Sequence, residues 1–106
     1  MQGFITPPNH KGFSAKRLFD KNGKIKWGAI AYIDVNGGGP EGNHTHKEDH
    51  IFIVVDGEAR IMLDDKAVIV KKNESVFVNG MTPHSIWNNA NQTTVVIKIS
   101  TESEAE

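Results

Sequence analysis

His44-Thr45-His46-Lys47-Glu48-Asp49-His50-Ile51-Phe52-Ile53-Val54-Val55-Asp56-Gly57 is the stretch on which the fold turns. Its second half is a continuous apolar run ending in Asp-Gly, a pair that supplies the positive φ of a tight hairpin turn. Residues 51–55 therefore read as a buried strand. A helical reading sets His46 and His50 at i and i+4, as in the H-E-x-x-H helix of zinc peptidases. Residue 47 is Lys rather than Glu, and the flanks are Gly39-Pro40 and the apolar run, so that reading is rejected.

The same rhythm continues on both sides. Trp27 to Val35 alternates, with Ile30 and Tyr32 on one face and Ala29, Ala31 and Ile33 on the other. Ala59, Ile61 and Leu63 share one parity, and short β-rich runs follow at 67–70, 75–78, 84–87 and 93–99. Turn signals separate them at Asn22-Gly23, Asp64-Asp65-Lys66, Asn73-Glu74, Asn79-Gly80 and Asn89-Ala90-Asn91. No stretch keeps a 3.6-residue apolar period. Many short strands with turns this close together predict an all-β fold, a small antiparallel barrel or sandwich. Residues 1–24, with Pro7 and Pro8, read as an N-terminal arm and edge strand. Residues 25–99 read as the barrel, and residues 100–106 as an acidic tail that frays.

At 106 residues the chain is one domain's worth, with 38% apolar and 24% charged residues. A net charge of −1 argues against a nucleic-acid or anionic-membrane partner. No apolar run approaches the roughly 20 residues of a membrane-spanning helix. There is no cysteine, which removes disulfides, thiolate metal sites and a cysteine nucleophile. With no secretory pattern at the N-terminus, the expected location is cytoplasmic. Gly37-Gly38-Gly39 lacks the helix that a phosphate loop requires and reads as a flexible rim.

Histidines stand at 10, 44, 46, 50 and 84. Strand residues i and i+2 point the same way about 6.6–6.8 Å apart, so His44 and His46 can face one ion. His50 joins them only if the chain turns back through Lys47-Glu48-Asp49, and His84 only if a remote strand lies alongside. A closed sheet meets both conditions; a solvated histidine loop is the plainer alternative. Glu48 and Asp49 stand in reserve as carboxylate ligands, and His10 reads as a surface residue of the arm.

At this point the sequence resembles the cupin family. The family's first motif, G-x5-H-x-H-x3,4-E-x6-G, is matched by Gly38, His44, His46, His50 and Gly57, with His50 where Glu is usual. In the second motif, G-x5-P-x-G-x2-H-x3-N, His84 and Asn88 match. Asn73, Asn79 and Met81 replace its Gly, Pro and Gly. The resemblance covers residues 25–99. It implies an antiparallel barrel, or small jelly roll, of about six to eight strands with a metal inside one end. It also implies that His44, His46, His50 and His84 hold that metal.

Imidazole suits zinc, iron, nickel or copper, while a carboxylate shifts preference toward manganese. An all-histidine site keeps the whole charge of a divalent ion, so it attracts a small anionic, oxygen-rich ligand. Strand parity offers Phe52, Ile86 and Asn88 to the cavity, Asn88 as a partner that orients an imidazole. Arg60 is a further cavity candidate, as a carboxylate partner, and Tyr32 a candidate base. Trp87 is expected outward, at a homodimer interface. The expected function is a metal-dependent enzyme, an oxygenase-like oxidoreductase or a Lewis-acid lyase, isomerase or cyclase. The alternative is a non-catalytic small-molecule or sugar-binding module.

Overall fold

The computed structural model describes residues 3–103, apart from the side chains of Asn43 and His44. Asn and Asp residues at the turns cut the chain into strands. These are β1 (Lys11–Phe19), β2 (Ile25–His44), β3 (Asp49–Asp56), β4 (Glu58–Leu63), β5 (Lys66–Lys71), β6 (Ser75–Val78), β7 (His84–Asn88) and β8 (Thr94–Thr101). Asp64 and Asn73 take φ values of 54° and 69° at the turns before β5 and β6. Both residue types tolerate that left-handed region. Gly57, at φ 80°, turns β3 into β4; a Cβ there would press on Thr94, whose hydroxyl donates to the Glu58 carbonyl at 2.9 Å.

Every strand pairing is antiparallel, in the order β5-β4-β7-β2-β8-β3-β6, with β1 added on β2. The end strands β5 and β6 come back together, which closes the sheet nearly into a barrel. The expected all-β jelly-roll class is the observed one. Among the described residues no helix is long and apolar enough to cross a membrane.

Alternation puts Ile33, Phe52, Val54, Ala59, Ile61, Val70, Val78, Ile86 and Val96 inside, all buried. Ile33, Val54, Ala59 and Ile61 are wholly buried. Each fully buried large aliphatic side chain contributes about 1.5–3 kcal/mol relative to exposure.

Two expectations are corrected. The glycine run is not a flexible rim but part of β2, which bends there: residues 25–33 pair with β8 and residues 38–44 with β7. Without side chains the backbone passes close to Trp87, whose ring a Cβ on Gly38 would strike at 2.6 Å. Trp87 is thus half-covered by this chain, and its indole N–H donates to Ser85 Oγ at 2.9 Å. Ser100 and Thr101, assigned to the tail, close β8 instead, with Ser100 fully buried. The last residues of that tail, 104–106, lie outside the described residues. Ile5, ahead of β1, bridges Ala15 through two hydrogen bonds of 2.8 Å.

Candidate metal centre

Among the described side chains, three histidines meet at one end of the barrel. His50 is near the start of β3, facing in, and is 0% exposed; His84 opens β7 and is 3% exposed. His46 lies between β2 and β3, not on a strand as the i, i+2 argument supposed. Its backbone N–H donates to the Gly80 carbonyl at 2.8 Å, which fixes the loop against the turn before β7. The Gly80 N–H donates in turn to the Asp49 carboxylate at 2.9 Å. That bond uses Asp49 as a brace rather than the reserve ligand it was expected to be. A side chain at Gly80 would strike the carbonyls of His46 and Glu48, so only glycine allows the two segments to approach this closely.

One nitrogen from each of His46, His50 and His84 lies within 4.8 Å of the others. His50 Nε2 is 2.7 and 3.1 Å from the two ring nitrogens of His46. Imidazole nitrogens about 2.0–2.1 Å from one ion at a tetrahedral angle stand roughly 3.4 Å apart. The His46–His50 pair sits close to the spacing that such an ion imposes, and the nitrogen of His84 lies within 4.8 Å of both. The partners on the far side also fit: His84 Nδ1 donates to the Thr82 carbonyl at 2.8 Å, which leaves the Nε2 lone pair for the cluster. His50 Nδ1 is 2.9 Å from Ser100 Oγ, a hydroxyl that can accept its proton and turn Nε2 the same way. Desolvation holds the His84 pKa below 6.5, the Thr82 bond opposes this, and the charge of Lys98 adds to the lowering. The lowering favours the neutral ring, the form a metal requires. The side chain of His44 lies outside the described residues; its backbone pairs with that of His84 across β2 and β7.

The cluster opens on a cavity of about 390 Å³, lined mostly by apolar groups. Phe52 and Ile86 are among its lining residues. Arg60 is not: it alternates with the buried Ala59 and Ile61 and so projects from the outer face of β4. Asn88 is buried but spends its amide on the carbonyls of Ile33 and Gln92, at 2.8 and 2.7 Å. Orienting an imidazole falls to Ser100 and Thr82 instead. Tyr32 lies outside the lining and meets the ring of Phe4 edge-on at 5.7 Å.

Among the cavity residues that sequence reasoning missed are His10, Trp27 and Lys98. His10, read as a surface group, is half-buried in the lining, with Nδ1 donating to the Pro8 carbonyl at 2.7 Å. Its ring meets that of Phe13 at 4.6 Å, and burial lowers its pKa. Trp27 also lines the cavity, and extending the inward parity of Ala29 and Ala31 by one step finds it. Lys98 is the third. It shares the inward face of β8 with the buried Val96 and Ser100, a face that reads as polar and hence as outward from sequence.

A family model described as a cupin domain matches residues 31–100. Among curated protein sequences none matches. Of the similar solved structures, one titled a predicted oxalate decarboxylase from Thermotoga maritima superposes with a TM-score of 0.81 at 22% identity, over 94% of this chain and 90% of that one. The polyketide cyclase RemF from Streptomyces resistomycificus gives 0.76 at 21% identity, over 92% and 70%. A cupin domain of an XRE family transcriptional regulator from Enterobacter cloacae gives 0.75 at 14%, over 89% and 100%. At these identities the likeness shows the shared fold alone.

Proposed function

Because this chain belongs to the cupin domain family, we propose that it is a metal-dependent enzyme acting on a small oxygen-rich molecule, oxygenase-like in its chemistry. The observation that carries this is the convergence of His46, His50 and His84 beside a cavity of about 390 Å³. His44 is the fourth ligand in this reading, supported by its backbone register with His84. The candidate ions are zinc, iron, nickel, copper or manganese, and an all-imidazole donor set favours the first four. A bound divalent ion supplies a Lewis acid that attracts and polarises oxygen groups. The chain's own residues do the rest. Ser100 and Thr82 hold two of the imidazoles in orientation, Phe52 and Ile86 exclude water, and Trp27 offers a flat apolar wall.

Elemental analysis of the purified chain, followed by oxygen uptake on β-diketones, flavonols and enols, tests this reading. It expects close to one transition metal per chain and uptake with at least one class. A fully loaded protein silent across the panel contradicts the oxygenase reading. A non-catalytic binding module is the second reading, favoured because no carboxylate is among the described residues lining the cavity. A ligand that raises the melting temperature and is recovered unchanged supports it.

The homodimer belongs to the same proposal. Phe77, Ile51 and Ile99 are neighbours in register on the outer face of β6, β3 and β8, and Phe77 is 59% exposed. Phe77→Glu is expected to shift the chain to monomer in sedimentation; an unchanged mass contradicts that interface.

A further inference from the structure

Lys98 is an unusual residue to find inside a barrel. It sits midway along β8, in register with Ala29 on β2 and Phe52 on β3. Its ammonium lies 5.2 Å from the ring centre of Trp27 and 5.7 Å from that of Phe52. It lines the same cavity as His46 and His84. Among the described residues, the ion pairs within 4.0 Å are Arg17–Asp20, Lys21–Glu102 and Lys72–Asp56, none of which involves Lys98. An ammonium enclosed in this way is costly when, as here among the described residues, no carboxylate lies within 4.0 Å and Glu48 acts on it only from farther off. Two aromatic faces recover part of that cost through cation–π attraction. A methionine of similar length would fill the space between Trp27 and Phe52 without it. The charge is therefore a feature in search of a partner, and the cavity is where a partner would enter.

We propose that Lys98 is the anion-recognition residue of this cavity, and that the ligand is a planar conjugated acid. Its carboxylate or enolate oxygen meets the Lys98 ammonium, and its flat face lies along Trp27. The proposal rests on the reading of this cavity as the ligand site; it does not require the metal. The cavity volume lies at the low end of the roughly 300–1,000 Å³ of small-molecule sites, which limits the ligand to a small one. Trp27 is held for this role by the Arg17 guanidinium, 4.5 Å from the ring centre. Among the described residues, Glu48, His10 and His84 act electrostatically with Lys98 at this end of the cavity, and His46 lines it as well. Burial lowers the Lys98 pKa to about 8, against a smaller opposing pull from Glu48, which leaves the amine largely charged at neutral pH. An incoming anion stabilises that charged form.

The test uses 2-naphthoate and its neutral isostere 2-naphthamide. Each is titrated by tryptophan fluorescence at pH 7 into the full chain, once treated with chelator and once loaded with zinc. Without metal, the wild type is expected to prefer the naphthoate by about tenfold, the scale of one charge-assisted contact. Lys98→Met is expected to lose that preference while binding the amide within about twofold of wild type, and Lys98→Arg to keep it. The proposal is overturned if metal-free wild type binds neither probe, if it shows no preference, or if Lys98→Met retains the preference. Should Lys98→Met not fold, as judged by circular dichroism, the wild-type preference and its retention in Lys98→Arg decide the matter. Failure of the metal reading would appear separately, as zinc that does not bind, and would leave the chelator-treated result standing.

Discussion

The two ends of this barrel are built from the same strands and hold opposite contents. At the closed end Ile33, Val54, Ala59 and Ile61 are wholly buried and apolar. At the other end the same inward faces of β3, β7 and β8 carry His50, His84, Lys98 and Ser100. Two-residue alternation places side chains without regard to polarity, so each strand runs from core into site along a single face. His50, Phe52 and Val54 show this within one strand, as do Ser100, Lys98 and Val96 in another. The apolar end supplies the stability that lets the polar end gather imidazoles and an ammonium, groups that cost free energy to bury unless partnered. The polar end in turn depends on the loop clasp of His46, Gly80 and Asp49, since His46 reaches the site from outside any strand.

Substitutions can break this contrast from either side. The largest effect is expected for His50→Ala, which should reduce bound metal from about one ion per chain to a trace by elemental analysis, with the sheet still formed by circular dichroism. Ile61→Ala should do the reverse. It should cost about 2–5 kcal/mol in urea unfolding, as large-to-small changes in a packed core do, while the folded fraction keeps its metal. Equal effects of the two on metal and on stability would erase the division of labour.

A subtler contrast separates the ligands from what orients them. Ser100→Ala leaves every imidazole in place but removes the hydroxyl 2.9 Å from His50 Nδ1. Metal affinity in a chelator competition should fall by about 10–100-fold, less than on losing the ring itself. An affinity equal to wild type would mean that Ser100 fills space only.

The smallest expected effect concerns Lys98 and pH. Its folded pKa of about 8 lies below the ordinary lysine value of 10.5. Below pH 8 both folded and unfolded chains carry the proton, and the cost of burying the charge is fully present. Between 8 and 10.5 the unfolded chain binds more protons, so this residue's contribution to stability rises with pH and then levels off. The difference in melting temperature between wild type and Lys98→Met should therefore move in favour of wild type across that window. A difference flat with pH would contradict it.

Much of this was legible in the sequence because the signals were local. Asp56-Gly57 and Asn73 set turns whose backbone needs the left-handed region, and His50, Phe52 and Val54 declared one face of β3. Two things were hidden for physical reasons. On β8 the apolar parity, Val95, Ile97 and Ile99, faces outward against the rest of the molecule's surface, and the polar parity faces in. An inward face that serves a site does not look like a core, so Lys98 and Ser100 escaped notice. On β4, Arg60 was a cavity candidate only through its opposite parity, and Ala59 and Ile61 already claimed the interior. His10 was invisible because its place depends on the arm folding back over the cavity, a long-range contact with no local signature.

The account stands on one ion held by the three imidazoles. A crystal structure of the zinc-loaded chain, with anomalous data at the zinc edge, tests this most directly. The expected result is a single strong peak about 2.0–2.1 Å from Nε2 of His50, Nε2 of His84 and one ring nitrogen of His46. A barrel without a peak there, or with zinc only on surface carboxylates, would contradict it.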